Sequence, residues 1–358
     1  MKLTLNKKEL LENLQDTLPI LANNNSFPIL ANILFKVKKG SLTILATDLE
    51  IFIQKKIKLN EKDEGEFCVN GKKFYEIIQV LPKEEIILEI DKTLKIKSGK
   101  CKFELPILAV EEYPKYPEVI GDKIEFNAQE LKDMLSKIVF ACSEEGTRLE
   151  LTGVLFDFNK NKLILVATDG RRLAMTNYRF NSEIKGKFII PQKAINTLTK
   201  ISKDETKLEM TITKEMIKFN CGVTELTTRL IDADFPNYID IIPKTFENEL
   251  KINTKDFYQA INRANVMVTQ DSIAITIKLE KNKITISKDT QGVGKEQEEL
   301  KAEYKGKEMT IGFNPKYLLD NLQVIDKEEI KMGINDKEKP VVIKIDSKFI
   351  YLLLPMLI

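Results

Sequence analysis

Four kinds of residue in this 358-residue chain could do chemistry: cysteines, two Thr-Asp pairs, a Gly-Val-Gly-Lys run and any histidines. Histidine is absent, so no Ser-His-Asp or Cys-His pair can form within one chain, and no imidazole serves as a general base near neutral pH. The cysteines stand singly at Cys68, Cys101, Cys142 and Cys221, never as C-x-x-C, so tetrahedral zinc would need thiolates or carboxylates gathered from separate places. They read as reduced, packed thiols of a cytosolic protein. Thr47-Asp48 and Thr168-Asp169 could each offer a catalytic carboxylate, but an Asp at a strand end more commonly caps its own turn. Gly292-Val293-Gly294-Lys295 lacks the spacing of a phosphate-binding loop and the Ser/Thr after its Lys, and reads as a flexible turn. These residue types point to no catalytic site, no metal site and no nucleotide.

The elements that would position such groups are written three times over. Residues 34 to 49 (LFKVKKGSLTILATDL) laid over 155 to 170 (LFDFNKNKLILVATDG) agree at Leu, Phe, Lys, Leu, Ala, Thr and Asp, seven of sixteen positions at an offset of 121. Chance would give about one such match at typical residue frequencies. Asn6 before Glu9, Asn127 before Glu130 and Asn253 before Asp256 each set a helix N-cap three residues ahead of an acid. The apolar residues that follow mark one buried stripe per helix: Leu10, Leu14 and Leu18 in the first copy, Leu131, Leu135 and Val139 in the second. A second helix is predicted from Gly71 to Leu81, from Gln192 to Ile201 and from Pro315 to Val324. Alternating strands such as Leu94-Lys95-Ile96-Lys97 and Leu208-Glu209-Met210-Thr211 lie between the helices. Tyr113-Pro114-Lys115-Tyr116 and Phe235-Pro236-Asn237-Tyr238 close the first two copies as extended linkers. Boundaries near Gly121 and Glu247 give domains at 1–121, 122–246 and 247–358. Short turns rather than crossover helices separate the strands, so each copy is an α+β domain of two amphipathic helices on mostly antiparallel strands.

With 56 Lys+Arg against 54 Asp+Glu, the net charge is +2, which excludes a basic tail or a disordered acidic chain. Nucleic-acid contact would have to come from local placement of charge. No apolar leader segment follows Met1, and no uncharged apolar run long enough to span a bilayer occurs, so a soluble cytoplasmic protein is expected. Tandem copies of one domain serve geometry more readily than chemistry, because they present a continuous surface. A domain of this size is equivalent to a sphere about 35 Å across. Three closed into a triangle leave a hole of only about 5 Å, whereas six leave about 35 Å, room for a duplex roughly 20 Å wide. A head-to-tail dimer with closed two-fold symmetry would therefore suit encircling DNA.

Ala167-Thr168-Asp169-Gly170-Arg171-Arg172-Leu173-Ala174, Phe235-Pro236-Asn237-Tyr238, Gly312-Phe313-Asn314-Pro315-Lys316-Tyr317-Leu318-Leu319-Asp320 and Tyr351-Leu352-Leu353-Leu354-Pro355-Met356 resemble the bacterial sliding clamp, the beta subunit of DNA polymerase III. The resemblance runs end to end. It implies three tandem clamp domains per chain and a homodimeric ring, with paired helices lining the hole and strands outside. It also implies a non-enzymatic processivity factor without cofactor or metal. Its partners would be double-stranded DNA held by topology, the replicative polymerase alpha subunit, the clamp loader, and other polymerases and repair proteins bearing short linear motifs. A peptide-binding repeat scaffold that never encircles DNA is the alternative.

Matched residue by residue, the resemblance places a partner-peptide cleft at Arg148, Leu151, Thr168, Gly170, Arg172, Leu173, Pro236, Ile241, Val342, Leu352, Leu354, Pro355 and Met356. Burial of a partner's Leu or Phe anchors would supply affinity, with Arg148, Arg172 and backbone groups fixing the peptide. Tyr351 to Leu353 read as a last core strand, whereas Met356, Leu357 and Ile358 continue past the strand-stopping Pro355 with little left to pair with. DNA-facing positions would be Asn24, Lys72, Lys73, Lys132, Lys137, Lys193, Lys200 and Arg263. Asn24 stands where the family often has an arginine, and Glu145 where a polar neutral contact is expected. A ring needs only a weak, sequence-blind field, since strong phosphate neutralisation would make it stick rather than slide. The ring would close between Phe103 and Leu105 on an edge strand of the first domain and Val266 and Met267 of the third. Internal core is the alternative for these four.

Overall fold

The computed structural model describes residues 1–22, 27–38, 40–59, 63–144, 146–179, 184–202, 207–345 and 348–358. Each repeat opens on an asparagine whose side-chain oxygen accepts a backbone N–H three residues on: Asn6 from Glu9 at 3.1 Å, Asn127 from Glu130 at 2.9 Å and Asn253 from Asp256 at 3.0 Å. That bond satisfies one of the four N–H groups a helix start leaves without a partner. Among the described residues the helices are α1 (Lys7–Gln15), α2 (Gly71–Val80), α3 (Ala128–Ser136), α4 (Gln192–Ile201), α5 (Thr254–Asn265) and α6 (Pro315–Leu322). The stripes are shorter than the sequence pattern. Pro19 cannot continue α1, and the chain tightens after α3, so Leu18 and Val139 fall in the 3-10 turns Leu18–Ile20 and Val139–Ala141.

The chain divides into two compact bodies, Met1–Lys132 with Lys193–Leu230, and Asp133–Gln192 with Ile231–Ile358. In the first body, one antiparallel sheet runs in the order Gly65–Asn70, Asn32–Lys38, Ser41–Thr47, Ile51–Lys58, Thr224–Arg229, Met216–Cys221, Lys207–Ile212 and Asp122–Asn127. A smaller sheet runs Lys2–Asn6, Glu85–Ile90, Thr93–Ser98 and Cys101–Pro106. In the second body, the large sheet runs Gly186–Pro191, Gly153–Phe158, Lys162–Thr168, Arg172–Arg179, Ile350–Leu353, Val341–Lys344, Glu329–Ile334, Asn248–Asn253 and Glu303–Tyr304. Its smaller sheet runs Gly294–Lys301, Lys283–Thr290, Ile275–Glu280 and Met309–Phe313. Each large sheet joins strands of two repeats, through Ile51–Lys58 beside Thr224–Arg229 and Arg172–Arg179 beside Ile350–Leu353.

One device recurs in every repeat. After its last strand the chain folds back onto an edge strand, with Leu108 N–H on Cys68 O at 2.9 Å, Ile231 on Ile189 O at 2.9 Å and Met356 on Gly312 O at 2.8 Å. In the first two repeats the segment that follows lays a buried tyrosine over the sheet: Tyr113 packs on Leu34, Leu45 and Cys68, and Tyr238 on Leu155, Val166 and Ile189. The linkers are thus part of the core. In the third repeat the same ladder positions are Thr276, Ser287 and Gly312, with Gly312 buried under the chain's tail. The cysteine reading needs one correction: Cys68, Cys142 and Cys221 are buried thiols outside any disulfide, but Cys101 is exposed on Cys101–Pro106, the edge strand of its sheet.

Candidate functional site

Thr168 to Arg172 make the turn between the strands Lys162–Thr168 and Arg172–Arg179. Thr168 Oγ1 donates to Arg172 O at 2.6 Å and accepts from Gly170 N at 3.1 Å, while Asp169 Oδ1 accepts from the N–H groups of Arg171 and Arg172, both at 2.9 Å. The other Thr-Asp pair repeats the pattern, Thr47 accepting from Leu49 N and Asp48 from Glu50 and Ile51. Both acids cap their own turns. The turn needs a left-handed residue, supplied by Gly170 at φ +85° and, with strain, by Leu49 at φ 78°.

Arg172 corrects the sequence reading. Its side chain is 4% exposed, and each guanidinium nitrogen has an acceptor: Nε on Asp169 at 2.9 Å, Nη1 on Asp320 at 2.6 Å and Nη2 on the Phe140 carbonyl at 2.6 Å. It lies 4.4 Å from the Tyr317 ring centroid, and Tyr351 Oη donates to the Tyr317 carbonyl at 2.6 Å. A guanidinium so engaged does not reach out to a peptide. It is a strut that joins the turn, α6 and the Val139–Ala141 segment. Phe140 and Tyr317 were missed by sequence reasoning, although Tyr317 and Asp320 lie within a motif quoted above.

Beside this strut is a cavity of about 280 Å³ whose lining includes Cys142, Arg148, Leu151, Asp169, Arg171, Lys316 and Tyr317. A Cβ at Gly170 would lie 3.9 Å from Arg148 Nη1 and 4.0 Å from Leu151 Cδ1, so glycine keeps this corner open. Burial pushes the Cys142 thiol up to about 12, which makes it packing rather than a nucleophile. Leu173 pairs across the sheet with Leu352, and Leu352 with Val342; these three, with Thr168 and Leu151, are buried. Of the remaining expected residues, Arg148, Gly170, Ile241 and Leu354 are exposed, and Pro236, Pro355 and Met356 half-buried. All thirteen expected cleft residues lie in the second body. The tail also differs from expectation, since Leu354 N–H bonds Arg171 O at 2.9 Å and Met356 pairs with Gly312. Leu357 and Ile358 remain exposed.

Three family models cover the chain in order: the N-terminal domain of the DNA polymerase III beta subunit at residues 1–117, its central domain at 125–237 and its C-terminal domain at 239–357. A beta sliding clamp of Bacillus subtilis is 30% identical over 99% of both chains. The chain belongs to the beta sliding clamp family. Its function is that of a DNA polymerase processivity clamp. The fold agrees: the sliding clamp of Bartonella birtlesii, solved bound to griselimycin, is 29% identical with a TM-score of 0.96 over 100% of both chains. The beta subunit of Thermotoga maritima is 27% identical with a TM-score of 0.93, covering 100% of this chain and 99% of its own.

The clamp's expected DNA-facing residues differ in exposure and in their partners. Asn24 and Glu145 lie outside the described residues. Lys72 and Lys73 are exposed on α2, and Lys200 on α4, whereas Lys132 and Lys137 are half-buried. Lys73 pairs with Glu76 at 2.6 Å, Lys193 with Asp48 at 2.5 Å, and Lys137 lies 3.9 Å from Asp326. Arg263 departs furthest from expectation, since it grips Glu298 on the edge strand Gly294–Lys301 with two bonds of 2.7 Å. That carboxylate holds the guanidinium above its ordinary range.

The four expected ring-closing residues are not core. Phe103 is 39% exposed and Leu105 half-buried on the edge strand Cys101–Pro106; Val266 is 75% exposed and Met267 half-buried just past α5. No helix among the described residues is long and apolar enough to cross a membrane.

Proposed function

We propose that this clamp closes as a head-to-tail homodimer of domains 1–121, 122–246 and 247–358, encircles duplex DNA in the cytoplasm, and does no chemistry of its own. The carrying observation is a pair of uncovered sheet edges. One edge strand, Cys101–Pro106, exposes Phe103 and Lys102, and the other, Gly294–Lys301, carries Glu296, Glu298 and Glu299. Bare edges offer unpaired backbone groups, which favours pairing one with the other across two copies. The non-enzymatic reading is supported by Asp48 and Asp169, whose carboxylates cap their own turns. Tethering then raises the polymerase's effective concentration at the primer end.

The rim Arg148, Ile241 and Leu354 over the floor Leu173, Val342 and Leu352 would receive short linear motifs of the replicative polymerase, the clamp loader and repair proteins, burying apolar anchors. Griselimycin, which the Bartonella clamp binds, is the probe. Wild-type protein should bind it, and Ile241→Asp or Leu354→Asp should weaken binding at least tenfold while leaving the dimer intact. Unchanged binding by both variants would remove the cleft from this place.

A further inference from the structure

Three charged side chains are buried among the described residues: Lys55, Arg172 and Lys288. Lys55 meets Asp16 at 2.5 Å, and Arg172 meets Asp169 and Asp320. Lys288, 5% exposed on the strand Lys283–Thr290, is held instead by two neutral oxygens, Ser272 Oγ at 2.8 Å and the Ala274 carbonyl at 2.7 Å. Burial disfavours the Lys288 ammonium, and the charge of the neighbouring Asp289 offsets that only in part, so the position calls for a use. Two residues along, Thr290 Oγ1 donates to the Met267 carbonyl at 2.6 Å. Side chains two apart on a strand share a face, and this pair grips both ends of the segment running from Val266 to Ala274.

That segment turns tightly, Thr269 and Ser272 exchanging backbone bonds of 3.3 and 3.2 Å. It exposes Val266 and Ile273, and Val293 is exposed on the neighbouring hairpin tip. A Cβ at Gly294 would lie 3.9 Å from the Met267 sulfur, so the tip and the segment lie side by side. Ile273 was not singled out by sequence, and Val293 only as part of the Gly292–Lys295 turn; both, like Val266, are exposed apolar side chains.

We propose that Lys288 is a positioning residue for ring closure: with Thr290 it holds the Val266–Ala274 segment in the shape that a second copy of this chain meets. The inference rests on the homodimer reading above. A segment left free would have to be ordered on association, and that entropy would weaken the dimer.

The test uses the full chain, with dimer dissociation measured by sedimentation or mass photometry and local order by amide hydrogen exchange. Lys288→Met and Thr290→Val should each raise the dissociation constant at least tenfold and speed exchange within residues 266–274, but not in the strand Ile275–Glu280. Lys288→Arg should recover part of the affinity. Val266→Asp serves as the reference that breaks the contact itself. If it dissociates the dimer while Lys288→Met and Thr290→Val do not, the positioning role is wrong and the dimer stands. If Val266→Asp has no effect, the dimer reading falls. Exchange accelerated throughout the sheet would make Lys288 a general stabiliser and overturn the proposal.

Discussion

Two arginines expected in the cleft, Arg148 and Arg172, have the same side chain and opposite fates. Arg172 is buried with two carboxylates and a carbonyl around it, so removing it would strand Asp169 and Asp320. Breaking a buried pair this way costs about 3–5 kcal/mol, whereas a surface change is usually within about 0.5 kcal/mol. Arg148, with a 56% exposed side chain and one bond to Glu150, belongs to the second class. Urea unfolding should therefore show Arg172→Ala strongly destabilised and Arg148→Ala nearly unchanged. Griselimycin binding should be weakened by Arg148→Ala in a fully folded protein. An Arg172→Ala clamp of normal stability would show that the strut carries little of the fold.

At the scale of elements, the repeated Asn caps and the repeated fold-back onto an edge strand are the units from which the clamp is built. The third fold-back has no room to spare. At Gly312 a Cβ would lie 2.6 Å from Met356 O and 2.4 Å from Ile358 Cγ2. Gly312→Val should therefore expel the tail, which carboxypeptidase trimming would report as faster loss of residues 356–358, with weakened griselimycin binding alongside. Trimming at the wild-type rate would mean that the strand and tail can separate at no cost. The caps were legible from sequence because they act over three residues. The ends of the stripes were not, because Leu18 and Val139 keep the apolar spacing after the backbone has left the helix.

For the molecule as a whole, a net charge of +2 and acid partners on Lys73, Lys193 and Arg263 leave a weak field for phosphate. Each phosphate contact contributes about 0.9 to the slope of log affinity against log salt, so few contacts mean weak, salt-sensitive binding. A short linear duplex, from whose ends a ring can escape, should bind only weakly at 50 mM salt and not measurably at 200 mM by fluorescence anisotropy. Nanomolar, salt-resistant binding would show that affinity rather than topology retains DNA.

Read alone, the amino-acid order determined the triplication, the α+β class, the first-helix caps, the turn role of both Thr-Asp pairs and, through its motifs, the family. These signals are local or repeated, so neighbouring residues suffice to write them. What lay beyond it was decided by pairing between distant residues. Arg172 meets Asp320 across 148 positions, and nothing near Arg172 foretells that bond. Phe103 and Val266 have the same apolar character as core residues, and only the tertiary arrangement leaves them exposed, one on an edge strand and the other just past α5. Apolar pattern states that a side chain seeks cover; long-range register states whether the chain itself supplies it.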